Sequence, residues 1–305
     1  MPIRGGFAKT DEIDRGNGTS MSRICYVNGR YLPLRDASVN VEDRGYQFAD
    51  GVYEVCEVRG GRMVDRPRHL ARLQRSLSEL RIAMPMGLAA LAIVMREVIA
   101  RNRVRDGIVY LQVTRGVARR DHAFPTHPVA PSVVITARSI GPQKGAATAA
   151  KGIQVISVPE NRWPRVDIKS ISLLPNVLAK QAAREQGAAE AWYVDHTGYV
   201  TEGSSSNAWI VTHDGRVVTR SADSGILAGI TRAVLMDVLA ALQLRLEERP
   251  FTIAEAQGAA EAFTTAATQI VMPVVAIDGQ AVGGGIPGPI ASRLREQFHR
   301  FATLS

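Results

Sequence analysis

The chain of 305 residues holds 37 basic side chains, yet only five are lysine: Lys9, Lys144, Lys151, Lys169 and Lys180. Arginine stays protonated in proteins, so any chemistry that needs a free amine must draw on these five. Lys9 falls in a polar, Gly-rich start, and Lys144 and Lys151 in a patternless stretch of Gly, Ala, Gln and Lys. Lys180 neighbours Gln181 and Arg184 on an expected helix, where a solvated lysine is ordinary. Lys169 differs, because Val166-Asp167-Ile168-Lys169-Ser170 alternates like a strand end just before a helix. A surface lysine on an edge strand is the plain reading. A nucleophilic amine would need partial desolvation and positive charge nearby.

A second polar group is Thr201-Glu202-Gly203-Ser204-Ser205-Ser206-Asn207. Composition alone makes it a loop, but strands flank it closely, so its polar groups should converge. A carboxylate there could hold a proton on a heteroaromatic nitrogen, while hydroxyls and backbone amides bind a phosphate. Gly229-Ile230-Thr231 opens a helix whose first amides form a ready anion site, simple N-capping being the alternative. The run Glu42–Glu54 mixes charged, aromatic and Gly residues with no period, and suits neither strand nor helix by itself. Thr114-Arg115-Gly116 leads into Arg120-Asp121-His122, a polar cluster after an apolar strand that also reads as a solvated loop. His122 has only His127 near it, so no metal site is expected.

The elements that must position these groups alternate along the chain. Asn28-Gly29 turns a hairpin within Ile24–Leu34, and Gly60-Gly61 turns a second, Tyr53–Val58 against Met63–Val64. Asp65 is expected to cap a helix with Pro67 in its first turn and Leu70, Leu73, Leu77 and Leu80 on one face. A helix over Leu88–Arg101 and strands Ile108–Thr114 and Ser132–Ala137 complete a first unit. After the patternless stretch come strand Ile153–Val158, a helix near Leu174–Gln186, and strands Ala191–Val194, Tyr199–Thr201 and Ala208–Val211. The helix Thr231–Leu244, strand Ala262–Thr265 and a last helix over Pro289–Ala302 follow. The expected division is a tail over 1–22 (Met21 being a possible natural start), a small domain over 23–140, a linker over 141–151 and a larger domain over 152–305. Two α/β domains with a ligand cleft between them is the architecture this implies.

Bulk properties narrow the function. With 46% apolar and 22% charged residues the composition is that of a globular protein. The net charge of +8 is spread among interleaved acids with no basic run, so no nucleic-acid partner is expected. Apolar runs such as Leu88–Val94 fall far short of the ~20 residues of a membrane span, and no export signal is apparent. Cys25 and Cys56 stand alone and read as buried thiols in a reducing cytoplasm.

Taken together, Glu42–Val55, Thr114–Pro125, Asp167–Lys180 and Thr201–Asn207 with Gly225–Arg232 resemble the fold-type IV pyridoxal-phosphate aminotransferases, in particular those acting on D-amino acids. The resemblance implies an α/β (α+β) fold with a small N-terminal domain and a larger one built on a mixed, partly barrel-like sheet. It implies that Lys169 forms a Schiff base with pyridoxal 5'-phosphate and that Glu202 pairs with the pyridine nitrogen. Arg72, Gly229, Ile230 and Thr231, with Thr265 and the Ala266 amide, would bind the phosphate. Leu227 would pack on the ring, and Ser204, Ser205 and Ser206 would line its polar side. Tyr53, Arg120 and His122 would hold the substrate carboxylate, the last two reaching in from the other subunit of a homodimer. The implied reaction is ping-pong transamination between D-amino acids and 2-oxo acids such as 2-oxoglutarate or pyruvate. Branched-chain L-aminotransferases, aminodeoxychorismate lyases and (R)-amine transaminases share the fold, and the set Tyr53, Arg120 and His122 separates this chain from them. Two departures stand out: Ala49 replaces a Gly, which predicts a modest packing change, and Thr264–Thr268 carries fewer hydroxyls than usual.

Overall fold

The computed structural model describes residues 23–305 apart from Ser224 and the side chains of residues 142–144; the expected tail over 1–22, with Lys9 and Met21, lies outside the described residues. The described residues open with β1 (Ile24–Val27) and β2 (Arg30–Pro33), then α1 (Arg44–Phe48), β3 (Gly51–Arg59) and β4 (Arg62–Met63). Helices α2 (Arg66–Glu79) and α3 (Leu88–Arg101) precede β5 (Gly107–Thr114) and β6 (Ser132–Ser139). The six strands form one antiparallel sheet in the order β2-β1-β6-β5-β3-β4. Both expected hairpins are present, with Asn28, Gly29, Gly60 and Gly61 all at positive φ, as the tight primed turns demand.

Strand alternation sends Val52, Cys56 and Val58 of β3 and Val109, Leu111 and Val113 of β5 to one face. There they meet Leu70, Leu73 and Leu77 of α2 and Leu91, Met95 and Val98 of α3 in a single core. Each such leucine contributes roughly 1.5–3 kcal/mol by burial, which fixes α2 against β3. Asp65 does precede α2, but its side chain does not cap it: Asp65 Oδ1 accepts from Thr303 N at 3.0 Å and Thr303 Oγ1 at 3.2 Å. The C-terminal residues therefore bond to the first sheet, Met63 and Ser305 exchanging backbone hydrogen bonds at 2.9 and 3.0 Å.

Three local expectations are corrected. Residues 142–151 are not patternless coil but helix α4 (Pro142–Lys151), because Ala-rich sequence forms helix through propensity without an apolar period. Glu42–Glu54 does contain a helix, the single turn of α1, capped by Asp43 through Gly45 N at 2.8 Å. Ala49 ends that turn at φ +56°, so the departure from Gly is conformational rather than a matter of packing.

The second sheet is built from β7 (Ile153–Pro159), β8 (Glu190–Val194), β9 (Val200–Gly203), β10 (Asn207–Val211) and β11 (Val217–Thr219), with β12 (Leu246–Glu248), β13 (Glu261–Ala266), β14 (Ile270–Ile277) and β15 (Gln280–Ala281). Helices α5 (Leu174–Glu185), α6 (Ile230–Ala241), α7 (Ile253–Gln257) and α8 (Pro289–Phe301) pack around it. Its order is β12-β11-β10-β13-β14-β7-β8-β9, with β15 on β14. Only Ser204–Ser206 separate β9 from β10, yet four strands lie between them in the sheet. The sheet must curl until its end strand returns beside β10, which gives the expected partly barrel-like form. Inside lie Trp192, Val155, Ile210 and Phe251; Trp209 and Phe263 face α6 and α8 on the other side.

Candidate active site

The polar link from β9 to β10 opens on a cavity of about 260 Å³ that takes residues from both sheets. Lys169 lines it, but not from a strand. Residues 166–167 form a turn, and the following segment bonds edge-on to β3 through the bridge Val52–Ser170. Tyr53 N donates to Lys169 O at 3.0 Å, and Lys169 N to Ser76 Oγ of α2 at 3.3 Å. The lysine backbone is thus fixed from two sides, and its Nζ lies 4.1 Å from the centroid of the Tyr53 ring.

Glu202 is 5% exposed and lines the same cavity. Its Oε1 accepts from Arg162 Nη1 at 2.5 Å; its Oε2 accepts from Asn207 Nδ2 and from Leu227 N, each at 3.1 Å. Burial pushes the carboxyl above its ordinary range, and Arg162 and the Leu227 amide pull against that shift. Arg162 in turn is gripped by Glu160 through Nε at 2.9 Å and Nη2 at 2.5 Å. Composition and periodicity do not mark Arg162. The available signal was Glu160-x-Arg162 directly after β7, because ligands gather beyond the carboxyl ends of strands.

At α2, Arg72 donates from Nε and Nη2 to the two oxygens of Glu54, both at 2.8 Å, and from Nη1 to Ala228 O at 2.9 Å. Of five guanidinium N–H groups, three are committed and two remain for a ligand. Glu54 is buried, which alone would raise its pKa, but Arg72 and the His69 ring at 2.7 Å outweigh that and hold it at about 2. The sequence does not mark Glu54 or His69, since a Glu inside a strand reads as solvent-facing.

Gly229 precedes α6 and offers no side chain to its first amides. A Cβ on Gly229 would lie 2.1 Å from Asn207 Oδ1, so only glycine lets the α6 terminus approach that close. Leu227, Ile230 and Thr231 line the cavity here, and so do Thr265, Ala266 and Thr268. Thr265 Oγ1 accepts from Trp209 Nε1 at 2.9 Å and keeps its own proton. Ser204, Ser205 and Ser206 also line the cavity, but each hydroxyl donates to the buried Glu190, Ser205 at 2.8 Å and Ser206 at 3.2 Å. Their hydroxyl protons are thus directed to Glu190.

The cavity therefore has one amine against an aromatic ring, one buried carboxylate, and an anion site made of a helix terminus and a half-committed guanidinium. That donor set fits pyridoxal phosphate: an aldehyde partner, a partner for a pyridine nitrogen, and a phosphate cradle. Tyr53 lines the cavity as well. Arg120 and His122 do not. They are exposed on the loop after β5, against Phe48, whose ring centroid is 5.1 Å from Arg120 Cζ and 5.4 Å from the His122 ring.

Comparison with known proteins yields a family model, amino-transferase class IV, that matches residues 51–277. A D-alanine aminotransferase of Staphylococcus haemolyticus is 37% identical over 90% of this chain and 96% of its own length. One from Bacillus licheniformis is 39% identical over 88% and 93%. Among solved structures, a T.th. branched-chain amino acid aminotransferase with pyridoxamine 5'-phosphate aligns with TM-score 0.82 at 26% identity, covering 92% of this chain and 94% of that one.

Proposed function

The chain belongs to the class IV aminotransferases, and from that membership we propose that it transfers the amino group of D-amino acids, of the D-alanine and D-glutamate type, to 2-oxo acids such as 2-oxoglutarate and pyruvate. Its cofactor is pyridoxal 5'-phosphate. The observation that carries the reading is the meeting of Lys169 and Glu202 in one cavity, in a chain whose curated relatives at 37–39% identity are D-alanine aminotransferases. The likeness to a branched-chain enzyme is one of backbone, at lower identity.

When bound, pyridoxal phosphate supplies a ring that withdraws electrons from the substrate Cα. The chain's own residues do the rest. Lys169 would hold the cofactor through its amine, and the same amine, when free, would move the proton at the substrate Cα. Positioned acid–base work of this kind contributes roughly 10²–10⁴-fold. Glu202 would hold the proton on the ring nitrogen, and Arg162, donating to Glu202 at 2.5 Å, opposes the upward push of burial on that carboxyl. Arg72 with the amides of Ile230 and Thr231 would hold the phosphate by charge-assisted hydrogen bonds. Amino acid enters and oxo acid leaves, and a second oxo acid then completes the exchange in reverse.

Tyr53, with Arg120 and His122, binds the substrate carboxylate. Arg120 and His122 do not line the cavity of their own chain, which supports the reading that a second copy of the chain supplies them and that the working unit is a homodimer of two-domain subunits (23–140 and 152–305, joined through 141–151). The enzyme works in the cytoplasm, a reading supported by two buried free thiols, Cys25 and Cys56. Among the described residues no helix is long and apolar enough to cross a membrane.

A panel of amino donors tests the proposal: D-alanine, L-leucine and (R)-1-phenylethylamine, each with 2-oxoglutarate and with pyruvate, beside a pyruvate-release assay on aminodeoxychorismate. Turnover with D-alanine well above the others is the expected result. Preference for L-leucine or the amine, or release of pyruvate from aminodeoxychorismate, would overturn it.

A further inference from the structure

The segment Asp43–Gly51 packs charges, a phenylalanine and glycines onto the base of the loop that carries Arg120 and His122, and none of its side chains lines the active cavity. Asp43 accepts from Gly45 N through Oδ1 at 2.8 Å and from Thr114 Oγ1 through Oδ2 at 2.9 Å. Arg44 N donates to Gly116 O at 2.9 Å, and Arg115 N to Asp50 O at 3.0 Å. A Cβ on Gly45 would lie 2.1 Å from Thr114 Cγ2, and one on Gly51 2.7 Å from Val113 O. Helix α1 thus rests directly on the end of β5, where the loop departs.

The side chains inside this contact point one way. Asp50 receives Arg44 Nε at 2.9 Å and Arg115 Nε at 2.7 Å on Oδ2, and Arg115 Nη2 at 2.9 Å on Oδ1. Arg115 also donates to Arg81 O and Leu80 O, and its Cζ lies 3.7 Å from the Phe124 ring centroid. Arg44 is 3% exposed, and its far end reaches Asp121 O at 2.6 Å and His122 O at 3.5 Å. A guanidinium bonded to a carboxylate at one end has little freedom at the other. Arg44 is therefore a fixed arm that grips the two carbonyls following Arg120. Phe48 completes the platform, with Arg44 Cζ at 4.8 Å and Arg120 Cζ at 5.1 Å from its centroid.

We propose that Asp50 and Arg44 are positioning residues for substrate-carboxylate recognition: they set the direction in which Arg120 and His122 leave the loop and act on substrate only through them. The proposal rests on the reading of Arg120 and His122 as the carboxylate clamp. Ordering a clamp in advance removes part of the cost of binding, so its loss should appear in KM for a carboxylate substrate rather than in the chemistry at Lys169.

The test is a double-mutant cycle on the holoenzyme with D-alanine as donor, following KM, kcat and the visible absorption of the bound cofactor. Arg44→Met is expected to raise KM about 10- to 100-fold, the range for a misdirected orienting group, with kcat and the absorption band nearly unchanged. In an Arg120→Ala background the same change should add less than about twofold, as expected of residues that act through one another. Equal effects of Arg44→Met in both backgrounds, or none in either, would overturn the proposal while leaving the clamp reading intact. An Arg120→Ala enzyme with normal KM would overturn the clamp reading and the proposal with it. If Arg44→Met does not yield folded protein, Asp50→Asn carries the same cycle with the same expected outcomes.

Discussion

Arg162 donates to Glu202 at 2.5 Å, and the two side chains are 5% and 6% exposed, so an ion pair is largely shut away from water in the cavity wall. Removing one partner of such a pair leaves the other charge buried and uncompensated, a cost of about 3–5 kcal/mol. Since burial already pushes the Glu202 carboxyl up, loss of Arg162 should push it further and favour the neutral acid. Arg162→Met is expected to lower kcat with D-alanine by about 10- to 1000-fold, the scale of losing a preorganised charge in a site, and to shift the cofactor's visible band. An Arg162→Met enzyme with wild-type kcat and spectrum would separate this pair from catalysis.

Glu54 gives a pH dependence with a definite sign. Its folded pKa, about 2, lies below the ordinary 4.5. A depressed carboxyl stabilises the folded state fully above the unfolded value, and that contribution fades as pH falls from about 4.5 toward about 2. Glu54→Gln should cost about 3 kcal/mol at pH 7, as for a broken buried pair, and should weaken retention of pyridoxal phosphate by freeing Arg72. Denaturant unfolding at pH 7 and pH 4 checks this: the difference between wild type and Glu54→Gln should shrink at the lower pH. A constant difference would contradict it.

Ala49 holds φ +56° at the end of α1, a region that costs an L-residue roughly 1–2 kcal/mol. Glycine removes that strain but loses roughly 0.5–1 kcal/mol more chain entropy. Ala49→Gly should therefore stabilise the protein by about 0.5–1 kcal/mol, read as a higher Tm with unchanged kcat. A lower Tm would show that the Ala49 methyl makes contacts worth more than the strain.

The parts legible in the sequence are those with a period or a turn signal. The leucines of α2 and the Asn28-Gly29 and Gly60-Gly61 turns fall where pattern places them. Helix α4 has no apolar stripe to betray it, because only its alanine content drives it. Strand β14 is hidden by Pro273, which argues against a strand until Phe263 is seen beside it. Lys169, Glu202 and Arg72 are found through a resemblance of motifs and converge on one cavity. Glu54 and His69 are not, since what makes them matter is burial beside a partner distant in sequence, and spacing along the chain carries no trace of that; Arg162 leaves only the weak signal of Glu160-x-Arg162 after β7.

Reductive trapping tests the central claim most directly. The holoenzyme is treated with borohydride, digested, and its lysine peptides mapped by mass. The five lysines fall in different sequence contexts, so each is distinguishable. The account predicts one pyridoxyl-phosphate adduct, on Lys169. An adduct on Lys9, Lys144, Lys151 or Lys180, or none on a protein that still turns over D-alanine, would contradict it.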